Sequence, residues 1–219
     1  MCGRYTLRTP PERLAQVFGV EGPLPEWSGP SYNVAPSQRV LAVVGADGGR
    51  RFEHLRWGLA PAWSKDPSSG PINARSETVA EKPSFRSAFR SRRALIPADG
   101  YYEWKRVGKG PKQPYLFTLA GGEPFAFAGL WERWGEGEEE LRTAALLTTE
   151  PNAVAREVHD RMPVILPREA YDLWLDPDAE KEELLALLAP YPAREMEAYP
   201  VSTHVNSPKN NDPECVRPV

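Results

Sequence analysis

The stretch ALIPADGYYEWKRV, residues 94–107, opens the most strand-rich part of the chain. It holds two apolar and aromatic runs, 94–97 and 101–107, which the turn-forming triplet ADG separates. Three further runs of the same kind follow at residues 115–119, 126–134 and 141–149. Because glycine-containing turns lie between these runs, the pattern predicts an antiparallel meander of β-strands.

The segments on either side of this meander predict shorter elements. Residues 9–12, TPPE, have the pattern of a helix-capping box with proline in the first turn, and Gly19 is a suitable helix stop. Further strands are predicted at residues 40–44, 52–57, 162–166 and 197–202. Short helices are predicted at residues 151–158, 169–175 and 179–188. Residues 61–93 show little periodicity, and a segment of that length in a compact domain is expected to carry function.

Length and composition favour one domain spanning residues 1–219. The chain has 219 residues, of which 41% are hydrophobic, and this is enough for one well-filled core. Proline is high, at 24 residues, and this indicates many short elements joined by fixed loops rather than a helical bundle. Nothing in the sequence suggests an obligate oligomer, so we expect a monomer.

The two cysteines, Cys2 and Cys215, indicate a reducing environment. Two cysteines do not make the disulfide framework of a small secreted protein. No apolar run approaches the ~20 residues that a membrane span needs, and no signal peptide is visible. We therefore expect a cytoplasmic protein that does not act at a membrane. The cysteines and three histidines show no metal-ligand spacing, so neither a metal nor a cofactor is expected.

Cys2 is the most reactive residue that the sequence offers. Because cysteine is small, we expect removal of Met1, which leaves an α-amine and a thiol on one residue. An α-amine titrates near ~7.7, so roughly one in six is unprotonated at pH 7. Such a 1,2-aminothiol can capture an aldehyde, first as an imine and then as a five-membered thiazolidine ring. Many cytosolic proteins also begin Met-Cys without such a role.

The charge distribution leaves nucleic-acid binding open, although the net charge is −3. Five basic residues fall within a dozen positions that contain no acid, namely Lys82, Arg86, Arg90, Arg92 and Arg93. Such a basic cluster can hold a phosphate backbone on one face of a protein whose total charge is acidic. A solvated surface loop is the simpler interpretation of the same cluster.

Six motifs in order along the chain resemble the SRAP family, the SOS-response-associated-peptidase-like proteins that include sensors of abasic sites in single-stranded DNA. The motifs are MCGRY (1–5), YNVAP (32–36), RWGL (56–59), INARSE (72–77), PADGYYEW (97–104) and VHDRMP (158–163). The resemblance continues into the C-terminal region around residues 201–210 and therefore covers nearly the whole chain.

The resemblance implies both a fold and a reaction. The fold is α+β, with a curved, barrel-like, mainly antiparallel β-sheet and short peripheral helices. The reaction is capture of the ring-opened aldehyde of an abasic site by the N-terminal cysteine, which becomes a stable DNA–protein crosslink. Self-removal of Met1 by a peptidase activity, and lyase-like release of the crosslink, are further activities that the family implies.

The resemblance also assigns catalytic roles to four residues. Cys2 is the nucleophile, through its amine and its sulfur, and Asn73 orients the N-terminal residue and the sugar without adding charge. Glu103, on the opposite strand face from Tyr102 and Trp104, can accept the proton of the amine. His159, at the end of a short helix, can donate a proton to the departing oxygen. Without the family, a turn-forming asparagine, a solvent-facing glutamate and a helix-capping histidine would be the ordinary interpretations.

Five residues are candidates for contact with DNA. Arg75 and Arg161 match family arginines that hold phosphates, a task that suits the planar guanidinium. Arg4 and Arg86 are weaker candidates for the same contacts. Phe85, which basic residues flank, is predicted to stack on a base, as aromatic residues do in single-strand binders. Trp63 can do the same, whereas Trp57 is expected in the core.

Two other functions use the same residues. In the first, the chain is an N-terminal-nucleophile peptidase or amidohydrolase, in which the sulfur of Cys2 attacks an acyl carbon and the α-amine or His159 is the base. In the second, the chain binds single-stranded DNA without a covalent bond, and Cys2 has no part in binding. The sequence does not separate these functions completely.

Overall fold

The computed structural model describes residues 2–46, 48–68, 70–137 and 140–219, and its strands form two sheets. The strands in chain order are β1 (Tyr5–Leu7), β2 (Ser31–Val34), β3 (Arg39–Ala46), β4 (Gly49–Trp57), β5 (Asn73–Arg75), β6 (Arg93–Ala98), β7 (Gly100–Lys105), β8 (Gln113–Leu119), β9 (Phe125–Trp134), β10 (Leu141–Thr149), β11 (Met162–Pro163), β12 (Ile165–Leu166) and β13 (Met196–Pro200).

The larger sheet closes into a barrel of five strands. Its order is β10-β4-β3-β6-β9, and β9 pairs again with β10. The β4–β10 pairing is parallel and the others in the ring are antiparallel. All six residues of β6 are buried, as are residues 143–149 of β10. Short, continuously apolar strands are typical of a sheet that is covered on both faces.

The second sheet has the order β13-β8-β7-β1-β2 and packs on the barrel. Successive side chains of β7 point to opposite faces, as the period of a strand requires. Tyr101 therefore lies in the main core, while Tyr102 packs in a second cluster with the C-terminal residues Val201, Val205 and Cys215. Strand β7 thus connects the barrel to the C-terminal segment.

Among the described residues, five short α-helices lie around the sheets: α1 (Pro11–Phe18), α2 (Arg86–Ser91), α3 (Ala153–Arg156), α4 (Tyr171–Leu175) and α5 (Lys181–Ala186). In the part of the chain that the structure describes, none of these helices is long and apolar enough to cross a membrane. Helix α1 ends at Gly19, whose φ of 60° is the left-handed conformation that glycine adopts readily. Its predicted capping box is wrong, because the Thr9 hydroxyl donates instead to Asp99 Oδ1, at 2.6 Å.

The predicted fold class is confirmed, but the simple meander is not. The β7–β8 and β9–β10 hairpins form as predicted. The chain changes sheets between β6 and β7, and again between β8 and β9. At the first crossing, the Asp99 carboxylate accepts the backbone N–H groups of Arg8 and Thr9 instead of closing a hairpin turn. Strands β1, β2 and β5 were not predicted, because runs of three or four residues carry too little periodicity.

Candidate active site

Cys2 lies directly before β1 and is completely buried. Its Sγ is 3.8 Å from the carbonyl oxygen of Arg4, which accepts the thiol proton. Its own carbonyl oxygen accepts a hydrogen bond of 2.9 Å from Asn73 Nδ2. Burial raises the pKa of the Cys2 thiol, and the nearby Glu103 carboxylate raises it further. The sulfur is therefore held as a neutral thiol rather than as a thiolate.

Asn73 is positioned by the short strand β5, which extends the barrel beyond β4. Strand β5 pairs in parallel with β10, so that Asn73 lies opposite Leu146 and Arg75 lies opposite Thr148. The Asn73 side chain faces Cys2 and donates to its carbonyl oxygen, whereas Arg75 is exposed. The three residues of β5 thus bring one side chain to the cysteine and one to the adjacent surface.

Glu103 approaches the cysteine from the neighbouring strand. Strand β7 pairs with β1, with Tyr5 opposite Tyr101, and the Tyr102 N–H donates to Arg4 O at 3.0 Å. The Glu103 side chain is buried, with the residue only 3% exposed, so the interpretation as a solvent-facing glutamate is wrong. Burial raises the pKa of Glu103, which makes it a better proton acceptor and donor near neutral pH than an exposed carboxylate.

His159 follows α3 and faces Glu103. Its Nε2 lies 3.8 Å from Glu103 Oε2. Its Nδ1 accepts the backbone N–H of Arg161 at 3.0 Å, and Asp160 Oδ1 lies 3.0 Å from the same nitrogen. The Arg161 N–H favours an Nδ1 without a proton, whereas the Asp160 carboxylate favours an Nδ1 that carries one. The backbone amide is fixed, but the Asp160 side chain is 90% exposed and can turn into water. The neutral ring therefore carries its proton on Nε2, facing the carboxylate.

Arg161 anchors the loop that carries His159. Its guanidinium forms a two-point ion pair with Glu77, one contact of which measures 2.9 Å, and it also donates to Thr148 O at 2.7 Å. The Arg161 hydrogen bond lowers the pKa of Glu77. Because the Arg161 side chain is only 16% exposed, this arrangement first of all fixes the loop to β10. A phosphate would have to share the guanidinium with Glu77.

Arg4 holds the C-terminal segment and is not available in this structure as a free phosphate ligand. Its guanidinium donates to Asn33 Oδ1 at 2.9 Å, to Val205 O at 2.8 Å and to Asn206 O at 3.1 Å. It also lies 6.0 Å from the centre of the Trp104 ring. A contact of Arg4 with DNA would have to replace these hydrogen bonds, and it stays a prediction.

Phe85 lies in the core rather than at the surface. The residue is only 6% exposed, precedes α2 directly and packs in the main core with Phe89 of that helix. Stacking on a base would require Phe85 to leave the core, and this contact stays a prediction. Arg86, at the first position of α2, is exposed, and Trp57 lies in the core as predicted. Trp63 is 68% exposed and remains the aromatic candidate for contact with DNA.

Two tyrosines beside Cys2 were not singled out from the sequence. The hydroxyl groups of Tyr5 and Tyr101 are buried and have no hydrogen-bond partner among the residues that the structure describes. Burial and the neighbouring Cys2 raise the pKa of both phenols, so both remain neutral donors. Buried donors without partners are costly in free energy and call for a functional explanation. The sequence could have indicated them, because Tyr5 lies in the MCGRY motif and Tyr101 in the PADGYYEW motif.

Together these residues form a site around the buried Cys2, between the β-barrel and the second sheet. The model of the family described as SOS response associated peptidase (SRAP) matches residues 1–208. The chain belongs to this family, as its motifs predicted.

Three similar proteins illustrate the match. The Abasic site processing protein YoqW of Bacillus subtilis (strain 168) is 48% identical over 221 residues, which are 99% of each chain. The Abasic site processing protein YedK of Escherichia coli (strain K12) is 31% identical, over the full length of both chains. The crystal structure of a Bacteroides thetaiotaomicron protein superposes with a TM-score of 0.90 at 28% identity, and covers all of both chains.

Proposed function

We propose that this protein captures abasic sites in single-stranded DNA by forming a covalent bond to Cys2. The observation that carries the proposal is the convergence of three side chains from distant parts of the chain around one buried cysteine. Asn73 bonds the Cys2 carbonyl, Glu103 lies beside the thiol, and His159 faces Glu103. The names of the curated relatives as abasic site processing proteins support the same function.

The first step is formation of an imine. Once Met1 is removed, the α-amine of Cys2 gives its ammonium proton to Glu103 and attacks the aldehyde carbon of the opened sugar. The resulting carbinolamine loses water when Glu103 gives the proton that it took from the ammonium to the departing oxygen, and His159 Nε2–H, 3.8 Å from Glu103 Oε2, steadies that oxygen by a hydrogen bond. Glu103 then accepts the N–H proton of the iminium, which leaves a neutral imine.

The second step closes the thiazolidine ring. The Cys2 sulfur forms a bond to the imine carbon, and the proton of the thiol passes to the imine nitrogen. The neutral thiol that burial enforces suits this step, because it brings both the nucleophilic sulfur and the proton that the nitrogen needs. The product has no net change of charge and keeps the DNA attached to the protein.

The neutral thiol disfavours the peptidase as the main activity. Attack on an unactivated acyl carbon needs a thiolate, and reactive cysteines usually have a lowered pKa. Here burial and Glu103 act in the opposite direction. Removal of Met1 by the chain itself and release of the crosslink are secondary activities of the proposed site. We further propose action as a cytoplasmic monomer, associated with the nucleoid when bound to DNA, without a cofactor.

We propose Arg75, exposed at the end of β5, as the first contact with the DNA backbone. Arg86 and Trp63 are also exposed, whereas Arg161 reaches a phosphate only by sharing its pair with Glu77. A planar guanidinium binds phosphate oxygens, and an exposed indole can stack on a base.

Changing Arg75 to glutamine should weaken the initial encounter with single-stranded DNA. We expect the slope of log K against log salt to fall by about one, since one phosphate contact is lost. Binding of an intact oligonucleotide at several salt concentrations measures this. Arg194→Gln removes an arginine that is 83% exposed and ion-paired with Glu195, and it is the matched control. Equal slopes for the two variants would remove Arg75 from the interface.

The proposed function is tested by mixing the protein, its Met1 removal verified by mass, with a single-stranded oligonucleotide that bears one abasic site. A denaturing gel should show a shifted band that survives heat and detergent. An oligonucleotide of the same sequence without the lesion should give no such band. If correctly processed protein gives no band with the abasic strand, covalent capture is wrong and peptide or amide substrates come next.

A further inference from the structure

Three side chains that the proposed reaction does not use come together in the C-terminal segment. His204, Asp212 and Cys215 each place one possible ligand atom within 4.8 Å of the other two. His204 Nε2 and Asp212 Oδ2 are only 2.9 Å apart. Cys215 is buried in the second cluster beside Tyr102, while the other two side chains are partly exposed. The group is thus open to the solvent on one side.

The backbone around this group is held in place independently of any ion. Asp212 caps the turn Pro213–Val216, because its Oδ1 accepts the Glu214 N–H at 3.0 Å, and this leaves Oδ2 for another partner. Asn210 donates to His204 O at 2.7 Å and accepts the Cys215 thiol through its carbonyl oxygen at 3.5 Å. The three ligands therefore need only side-chain movements to meet one ion.

We infer that His204, Asp212 and Cys215 form a binding site for a divalent transition-metal ion, with Zn²⁺ as the best match. Imidazole, carboxylate and thiolate are the three ligand types that zinc accepts, at about 2.0–2.3 Å. Ligand atoms around a tetrahedral zinc are roughly 3–4 Å apart, which lies between the shortest and longest separations that this group allows. A thiolate ligand disfavours Mg²⁺ and Ca²⁺, which prefer oxygen.

Binding of Zn²⁺ at this site moves two protons. The ion takes the place of the hydrogen between His204 Nε2 and Asp212 Oδ2, and the ring keeps its proton on Nδ1 instead. Asn210 Nδ2 lies 3.2 Å from Nδ1, so the amide has to turn and present its oxygen to that proton, and it gives up its hydrogen bond to His204 O. The Cys215 thiol releases its proton to water.

The site would stabilise the C-terminal segment, which side chains from the N-terminal part of the chain already hold. Arg4 donates to Val205 O and Asn206 O, in the same turn as His204. Asn33, on β2, donates to the carbonyl oxygens of Val205, Ser207 and Asn210. An ion that links His204 to Asp212 and Cys215 would close this segment on itself. The role of the ion is therefore structural rather than catalytic.

The sequence did not indicate this site, because the three ligands have the spacing His-x7-Asp-x2-Cys. Common structural zinc motifs have paired ligands a few residues apart, which let a sequence predict them. Here the two turns, Thr203–Asn206 and Pro213–Val216, fold back on each other and bring the ligands together.

Zinc binding is tested in the Cys2→Ser background, so that the active-site cysteine cannot supply a competing ligand. Equilibrium dialysis against Zn²⁺, followed by metal analysis, should give about one ion per chain. Adding Cys215→Ser or His204→Asn should weaken binding about tenfold or more, and His54→Asn should leave it unchanged as the matched histidine control. Asp212→Asn, which keeps the capping oxygen, should weaken binding without unfolding the turn.

Two further readouts separate a lost ligand from a lost fold. Co²⁺ should give a thiolate-to-metal charge-transfer band that disappears in Cys215→Ser, and Zn²⁺ should raise the thermal midpoint of the Cys2→Ser protein but not of the ligand variants. The inference is overturned if the Cys2→Ser protein binds no zinc. It is equally overturned if folded Cys215→Ser and His204→Asn variants keep the same affinity.

Discussion

Replacing Cys2 by serine is expected to abolish the heat-stable crosslink to abasic DNA while leaving an imine that borohydride can trap. Serine keeps the α-amine, and its small side chain still permits Met1 removal. Its hydroxyl is a far weaker nucleophile than sulfur and closes the five-membered ring poorly. The reversible first step therefore survives, and the second step is lost.

The measurement is a pair of denaturing gels, with and without borohydride, using the wild-type protein and the Cys2→Ser and Cys2→Ala variants. All three keep the amine, so all three should give a band after borohydride. Only the wild type should give a band without it. A heat-stable band from Cys2→Ser without borohydride would show that sulfur does not form the lasting bond. A trapped band from none of the variants would remove the amine from the mechanism.

Replacing Glu103 by glutamine is expected to slow crosslink formation about 100-fold, the usual contribution of one general acid–base group. Glutamine has nearly the same shape but cannot accept the ammonium proton or pass it to the departing oxygen. The change should therefore act on the rate of covalent capture and leave the affinity for an intact strand unchanged. A time course of crosslinking, with intact-strand binding as the control, measures both.

The same variant should be more stable than the wild type near neutral pH. Burial raises the folded-state pKa of Glu103, so the folded protein favours the neutral carboxyl. Below the unfolded pKa the carboxyl is neutral in both states and costs nothing. As the pH rises, ionisation in the buried site lowers the stability of the wild type, and glutamine avoids this cost. Thermal unfolding at about pH 7 should show the gain, and at about pH 4 it should be small.

This combination of results distinguishes a catalytic from a structural role. If the role of Glu103 were purely structural, its replacement would lower the stability and the activity of the protein together. A gain in thermal midpoint accompanied by slower capture is the expected result for a buried group that is retained for its chemistry. An unchanged crosslinking rate in Glu103→Gln would assign the proton transfer to another group.

The sequence predicted the barrel strands well because each is long and apolar enough to show its own pattern. Strands β3, β9 and β10 were expected to within a few residues, and Gly19 was identified as the end of α1. The pairing partners of the strands were harder to predict. Ala98, Asp99 and Gly100 have the sequence of a hairpin turn, but they lead from the barrel into the second sheet. Gly100 passes close to β8, where a Cβ would lie 2.7 Å from Phe117 O. Local sequence does not record such a contact.

The sequence by itself determined the chemistry of the candidate site, because residue type fixes what Cys2, Asn73, Glu103 and His159 can do. Only the tertiary structure decided how exposed each candidate is and which partners it has. Phe85 is buried, contacts with the C-terminal segment use the donors of Arg4, and Glu77 pairs with Arg161. Solvent exposure and hydrogen-bond partners depend on residues far apart in the chain, so no local pattern carries them. For the same reason, only folding brought His204 close to Cys215 and placed Tyr5 and Tyr101 beside Cys2.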